Sequence, residues 1–255
     1  MIANYHTHTP RCRHAEGAER EYVESALAAG LEILGFSDHA PCPFPGEYKS
    51  WHRMDMDQLD DYVQTVLNLR QEYAGKIQIH LGLELEYYPD RMPELLPVLR
   101  DQPIEYLLLG QHFLGNEEGE PYTGLATGDS HGLVRYCDQV IAGLETGLFT
   151  YLAHPDLINY VGDDALYREQ MRRVCRAVKE CGLPLEWNML GMTTGRHYPF
   201  RKFWELAAEE NCDVIIGWDA HKPEAMGNSQ ALAMAERQIR ELGLHLLDTV
   251  PLRKL

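Results

Sequence analysis

Apolar and polar positions fall into repeating blocks along this chain, and each apolar block ends the same way. Ile2–Tyr5 precedes His6-Thr7-His8, Ile33–Phe36 precedes Asp38-His39, and Ile77–Leu83 precedes Glu84. Tyr106–Leu109 runs toward His112, Thr150–Ala153 toward His154, Leu183–Leu185 toward Glu186 and Asn188, and Val214–Gly217 toward Asp219 and His221. Stretches of helix-like composition separate most of these seven runs, an alternation that predicts parallel β/α units. In a barrel of such units the carboxyl ends of the strands converge on one face, so ligands scattered through the sequence become neighbours. The expected fold is therefore an α/β barrel with a polynuclear metal site at one end. Seven strands fit the runs better than eight, although Leu244–Val250 has room for a short terminal strand.

The helices read from their apolar spacing. Ala18–Gly30 places Tyr22, Val23, Ala26 and Leu27 on one face and stops at Gly30. Further helices are expected at Met56–Ala74, Met92–Arg100, Ser130–Glu145, Ala165–Cys181, Phe200–Asn211 and Ser229–Leu242. Pro41–Gly46 holds three alternating prolines and must be a loop. Leu114–Gly128 and Gly191–Pro199 also read as surface loops, at the same end as the histidines. At 255 residues the chain has the size of one α/β barrel, residues 1–255 forming a single domain.

Charge and cysteine content narrow the function classes. A formal net charge of −16 disfavours nucleic acid and anionic membranes as partners, and exceeds what three divalent cations would neutralise. The six cysteines form no CxxC pair, so free thiols in a reducing cytoplasm are expected. Cys12 and Cys42 follow expected ligands, but the His, Asp and Glu set suffices without them. No charged-then-apolar leader opens the chain, and no run approaches the roughly 18 apolar residues of a membrane span. A cytoplasmic protein is expected, with no reading of its oligomeric state.

Alternate residues on a strand share a face, so His6 and His8 can reach one ion while Thr7 points away. His14 lies in the following loop. Glu84 and Glu86 are both candidates for a carboxylate bridging two cations; Glu84 is preferred because Gly82, just before it, allows close backbone approach. Glu86 then supports the ligands from behind. His112 and His154 end strands four and five, and Asp219 and His221 end strand seven. Each of these residues alone is more often a hydrogen-bonded structural group, but their recurrence at successive strand ends points to metal.

In this order, His6-Thr7-His8, His14, Ser37-Asp38-His39, Gly82-Leu83-Glu84, His112, His154-Pro155 and Asp219-Ala220-His221 resemble the polymerase-and-histidinol-phosphatase (PHP) family. Tyr87-Tyr88-Pro89, His112-Phe113, Tyr198-Pro199 and His221-Lys222-Pro223-Glu224 are similar to its histidinol-phosphatase branch. The resemblance implies a distorted seven-stranded barrel with a trinuclear centre. One ion would take His6, His8, Glu84 and Asp219, a second Glu84, His112 and His154, and a third His14, His39 and His221. Imidazole and carboxylate suit zinc, manganese or iron. Three departures fall near the expected pocket: Trp218 where the family commonly has serine, Met189-Leu190-Gly191 after Glu186-Trp187-Asn188, and Leu157–Tyr160 where basic residues are frequent.

The implied activity is metal-dependent hydrolysis of a small phosphorylated metabolite, L-histidinol phosphate of histidine biosynthesis foremost and a nucleotide or other small phosphate second. Water made nucleophilic by the cations attacks phosphorus, and Asp219 or His221 passes a proton to the leaving oxygen. Arg196 and His197 are the expected outer phosphate clamp, with Arg11 and Arg13 weaker candidates and Lys222 weaker still. A non-catalytic metal-binding subunit is the rival outside this class. A deaminating amidohydrolase-like barrel also opens with HxH, but Glu84 and His14 speak against it.

Overall fold

A computed structural model describes residues 1–255. Eight parallel strands hydrogen-bond in chain order: β1 Ala3–Asn4, β2 Ile33–Phe36, β3 Gln78–Leu85, β4 Tyr106–Leu109, β5 Tyr151–Leu152, β6 Leu185–Asn188, β7 Asp213–Gly217 and β8 His245–Leu246. The helices are α1 Glu19–Ala28, α2 Leu59–Glu72, α3 Met92–Arg100, α4 Ser130–Glu145, α5 Asp164–Glu180, α6 Met189–Thr194, α7 Arg201–Glu209 and α8 Ser229–Glu241. The expected α/β barrel is present, with one strand more than the seven expected. The sheet curls so that Thr7, beyond β1, bridges Ala220, beyond β7. His8 N donates to Ala220 O at 3.0 Å and Ala220 N to His6 O at 3.1 Å. The ligand-bearing end thus closes on seven strands, while β8 extends the opposite end of β7 through Asp213 and Val214.

Even the all-apolar strands keep a two-residue period, because both faces are buried but against different partners. Tyr106, Leu108, Tyr151, Ala153 and Ile215 pack inside the barrel with Ala3, Tyr5 and Val250 of the C-terminal tail. Leu107, Leu109, Leu152, Val214 and Ile216 face the helices in the larger outer core. The Tyr106 hydroxyl donates across the barrel to Tyr5 O at 2.7 Å, so its polar tip is satisfied in an apolar interior. Among the helices, α4 buries Leu133, Tyr136, Cys137, Val140 and Leu144 at helical spacing, with Asp129 capping its first turn through His131 N.

Gly191–Pro199, expected to be a loop, begins instead as α6. Asn188 caps it, its side chain accepting from Gly191 N at 2.9 Å, so the polar strand end also starts a helix. Trp218, a departure expected near the pocket, is instead buried in the outer core, its backbone N donating to Asn4 Oδ1 at 2.9 Å. No helix is long and apolar enough to cross a membrane.

Candidate metal centre

The strand ends, with the loop carrying His14, bring the nine expected ligands to one face. His6 and His8 present their Nε2 atoms 3.5 and 3.0 Å from Asp219 Oδ1, and 3.4 and 3.6 Å from Glu84 Oε2. His39 Nδ1 lies 3.1 Å from the same Glu84 oxygen. The other oxygen, Oε1, lies 2.7 Å from His154 Nε2 and 3.7 Å from His112 Nε2. Glu84 therefore stands between two sets of imidazoles, one per oxygen. Ligand atoms of His6, His8 and Asp219 fall within 4.8 Å of one another, as do those of His14, His39 and His221 and those of His6, Glu84 and His154. These groupings match the first and third expected ion sites, while the second shares His6 and keeps His112 near Glu84.

Two glycines make room for the carboxylates. A Cβ on Gly110 would stand 1.9 Å from Glu84 Oε1, and one on Gly217 would stand 1.9 Å from Glu186 Oε1. Gly82, expected to permit close approach to the site, instead makes space for the Tyr106 ring, which would lie 2.3 Å from a Cβ placed there. His154 and Asp219 adopt positive φ of 27° and 49°, conformations that non-glycine residues rarely take and that concentrate at functional sites.

Behind the ligands lies a set of carboxylates. Glu186 Oε1 accepts from His6 Nδ1 at 2.7 Å, and its Oε2 accepts from His154 N and Asn188 Nδ2. Asp38 Oδ1 lies 3.3 Å from His8 Nδ1 and Glu86 Oε1 2.8 Å from His112 Nδ1. Each fixes the orientation of an imidazole whose other nitrogen faces the centre. Glu86 is in turn bound by the buried Arg53, which also pairs with Glu117. Strand-end position marked Asp38 and Glu186 in the sequence. Nothing there marked His52, Arg53 or Glu117, which come from irregular segments and meet only in space.

Electrostatics divides the imidazoles into two kinds. Burial lowers the pKa of His6, but Glu186, Asp219 and Glu84 outweigh it and push it up to about 10. Burial and the neighbouring His8 pull His14 down to about 4 and hold His39 and His221 well below the usual histidine value. Burial works against the charge of Glu84, yet His112, His6 and His154 hold its carboxyl well below the ordinary range. Burial pushes the Cys12 thiol up, and its sulfur lies within 4.8 Å of ligand atoms of His8 and His221.

Six buried polar atoms of this cluster have no well-formed hydrogen bond: His6 Nε2, His8 Nε2, His39 Nδ1, Glu84 Oε2, His154 Nδ1 and His221 Nε2. Buried lone pairs of this kind are costly unless paired, and their convergence fits divalent metal ions. Above them opens a cavity of about 410 Å³, lined by His14, Asp219, His221, Arg196 and His197 together with Trp51, Phe113, Tyr122 and Tyr198. Arg196 Nη1 donates to the Tyr198 hydroxyl at 2.9 Å and His197 Nε2 to Leu157 O at 2.7 Å. Arg11 and Arg13, weaker clamp candidates, do not line this cavity. Arg11 is bound by Glu19 and Asp61, and Arg13 by Ser50 O and Asp55. Lys222 points to Glu16 at 3.2 Å.

The PHP domain profile matches residues 4–190. A protein of Deinococcus radiodurans named a probable histidinol-phosphatase is 32% identical over 251 residues, covering 95% of this chain and 94% of that protein. The histidinol-phosphatase of Bacillus subtilis is 35% identical over 117 residues, 43% of either chain. In shape the chain is similar to the histidinol phosphate phosphatase of Lactococcus lactis solved with zinc, L-histidinol and phosphate, with a TM-score of 0.75, 21% identity and coverage of 98% and 96% of the two chains. That likeness shows a shared barrel.

Proposed function

The chain belongs to the PHP domain family, and from that premise we propose that residues 1–255 act as one metal-dependent phosphomonoesterase, hydrolysing L-histidinol phosphate to L-histidinol and phosphate in histidine biosynthesis. The observation that carries this reading is the set of orphaned imidazole and carboxylate atoms beneath a cavity whose single lining arginine is Arg196. The D. radiodurans relative, similar across nearly its whole length, supports the substrate. Three divalent ions, zinc, manganese or iron, fit the donors: His6, His8, Glu84 and Asp219 for one, Glu84, His112 and His154 for the next, and His14, His39 and His221 for the last. When bound, such ions neutralise phosphate oxygens and acidify water.

The chain's own residues supply the rest. Arg196 binds the phosphate from the cavity side, its guanidinium steadied by the Tyr198 hydroxyl. His197, tied to Leu157 O, braces the same loop. Water attacks phosphorus as the ester P–O bond breaks, and the proton that this water gives up to Asp219 or His221 passes on to the leaving oxygen. A cytoplasmic setting accords with six free cysteines.

The test is a substrate panel after manganese or zinc loading. L-Histidinol phosphate should show the highest kcat/KM against nucleoside monophosphates and sugar phosphates. A nucleotide preference would replace the substrate, and no turnover with any metal would indicate a non-catalytic metal-binding subunit.

A further inference from the structure

Three of the four tryptophans, Trp187, Trp204 and Trp218, are buried, whereas Trp51 is 60% exposed. An exposed indole on a loose loop tip would need no account. Trp51 is not on one: Ser50, His52 and Arg53 around it are all buried. Arg13 donates to the Ser50 carbonyl, Ser50 Oγ lies 3.0 Å from His52 Nδ1, and Arg53 donates to Ala40 O at 3.0 Å while pairing with Glu86 and Glu117. The backbone is pinned on both sides of a large apolar ring held in water.

That ring is held at the cavity. Its centre lies 6.5 Å from the ring of His14 and 6.3 Å from that of Phe113, the latter edge-on. Trp51 and Phe113 line the same cavity as His14, Asp219 and His221, so an ester group that extends from the imidazole cluster can meet them there. The indole face is electron-rich and accepts a flat ring by offset stacking, and a cationic ring or ammonium more strongly. We propose that Trp51 is a specificity-determining residue, stacking on an aromatic or heteroaromatic ring in the leaving group of the substrate. This inference rests on the phosphomonoesterase reading above but not on the identity of the ester.

The experiment uses the metal-loaded full chain, with Trp51→Ala and Trp51→Phe, folding being verified by thermal melting. In the wild type, titration with L-histidinol should change the tryptophan emission, since Trp51 is the exposed indole, and Trp51→Phe should abolish the change. The ratio of kcat/KM for phenyl phosphate over glycerol phosphate should fall about three- to tenfold in Trp51→Ala, chiefly through KM, and recover largely in Trp51→Phe. Inhibition by inorganic phosphate should stay constant. An unchanged ratio, or equal losses on both esters, would overturn the stacking role. If the wild type ignores L-histidinol phosphate but still favours phenyl over glycerol phosphate, the substrate reading fails while the aromatic subsite stands.

Discussion

Glu84 serves two groups of imidazoles because its two oxygens point to different sides of the cluster, Oε2 toward His6, His8 and His39 and Oε1 toward His154 and His112. Glu84→Gln should therefore almost abolish both turnover and metal content, whereas Glu86→Gln, which faces His112 Nδ1 and Arg53, should be milder. Metal analysis alongside kcat checks the order, and its reversal would assign the bridge to Glu86. Gly110→Ala should produce a related defect without touching a ligand, since the new Cβ would displace Glu84 Oε1. We expect lost metal affinity and a destabilisation of about 1–3 kcal/mol by overpacking, read by metal titration and denaturant melts. Arg196→Ala should lower kcat/KM by roughly 10- to 150-fold with metal content unchanged, and Arg196→Lys should recover only part. Wild-type kinetics in Arg196→Ala would leave phosphate binding to the centre alone. These residues were legible because ligand types recur at strand ends; the Gly110 cradle was not, since it depends on two neighbouring strands in register.

Elements were readable wherever one periodicity dominated. Met92–Arg100 and Ser130–Glu145 fall as the spacing predicts, because each buries one continuous stripe. The start of α6 was lost because Met189–Thr194 is short and interrupted by a glycine, and its helicity depends on the Asn188 cap. At the end of the barrel away from the site, Glu105, just before β4, ties down two elements: it pairs with Arg70 of α2, lies 3.2 Å from His80 of β3 and accepts from Leu81 N of the same strand at 2.8 Å. Burial alone would raise its pKa, but His80, the Leu81 amide and Arg70 together lower it. A carboxylate depressed on folding stabilises the protein above its unfolded pKa, and that contribution disappears as pH falls through the folded value. Glu105→Gln should thus cost stability at neutral pH and progressively less in acid, with the two proteins converging in denaturant melts at low pH. A constant difference at all pH values would mean that Glu105 contributes by packing alone.

For the whole molecule, the buried donors collected at the seven-strand end tie stability to metal. Elemental analysis of protein purified without chelator should find close to three ions per chain; full activity at a stoichiometry near one would sink the trinuclear arrangement. Chelation should lower Tm and divalent metal restore it, because an ion that binds only the folded state stabilises by mass action. That metal-dependent increment should shrink as pH falls, since protons compete for the imidazole nitrogens. The sequence by itself determined the α/β alternation, most of the helices and the strand-end residues that meet at the centre, because strand period and strand-end chemistry are local properties, while the loop residue His14 was marked only by the family resemblance. It did not determine how Glu84 divides its oxygens, that Gly82 serves Tyr106 while Gly110 serves Glu84, that Trp218 enters the core, or that Arg13 and Arg53 pin the segment presenting Trp51. Those outcomes needed the folded chain: pairing of β3 with β4 in register sets the Gly82 and Gly110 cradles, and the curl that joins Thr7 to Ala220 brings Trp218 against Asn4.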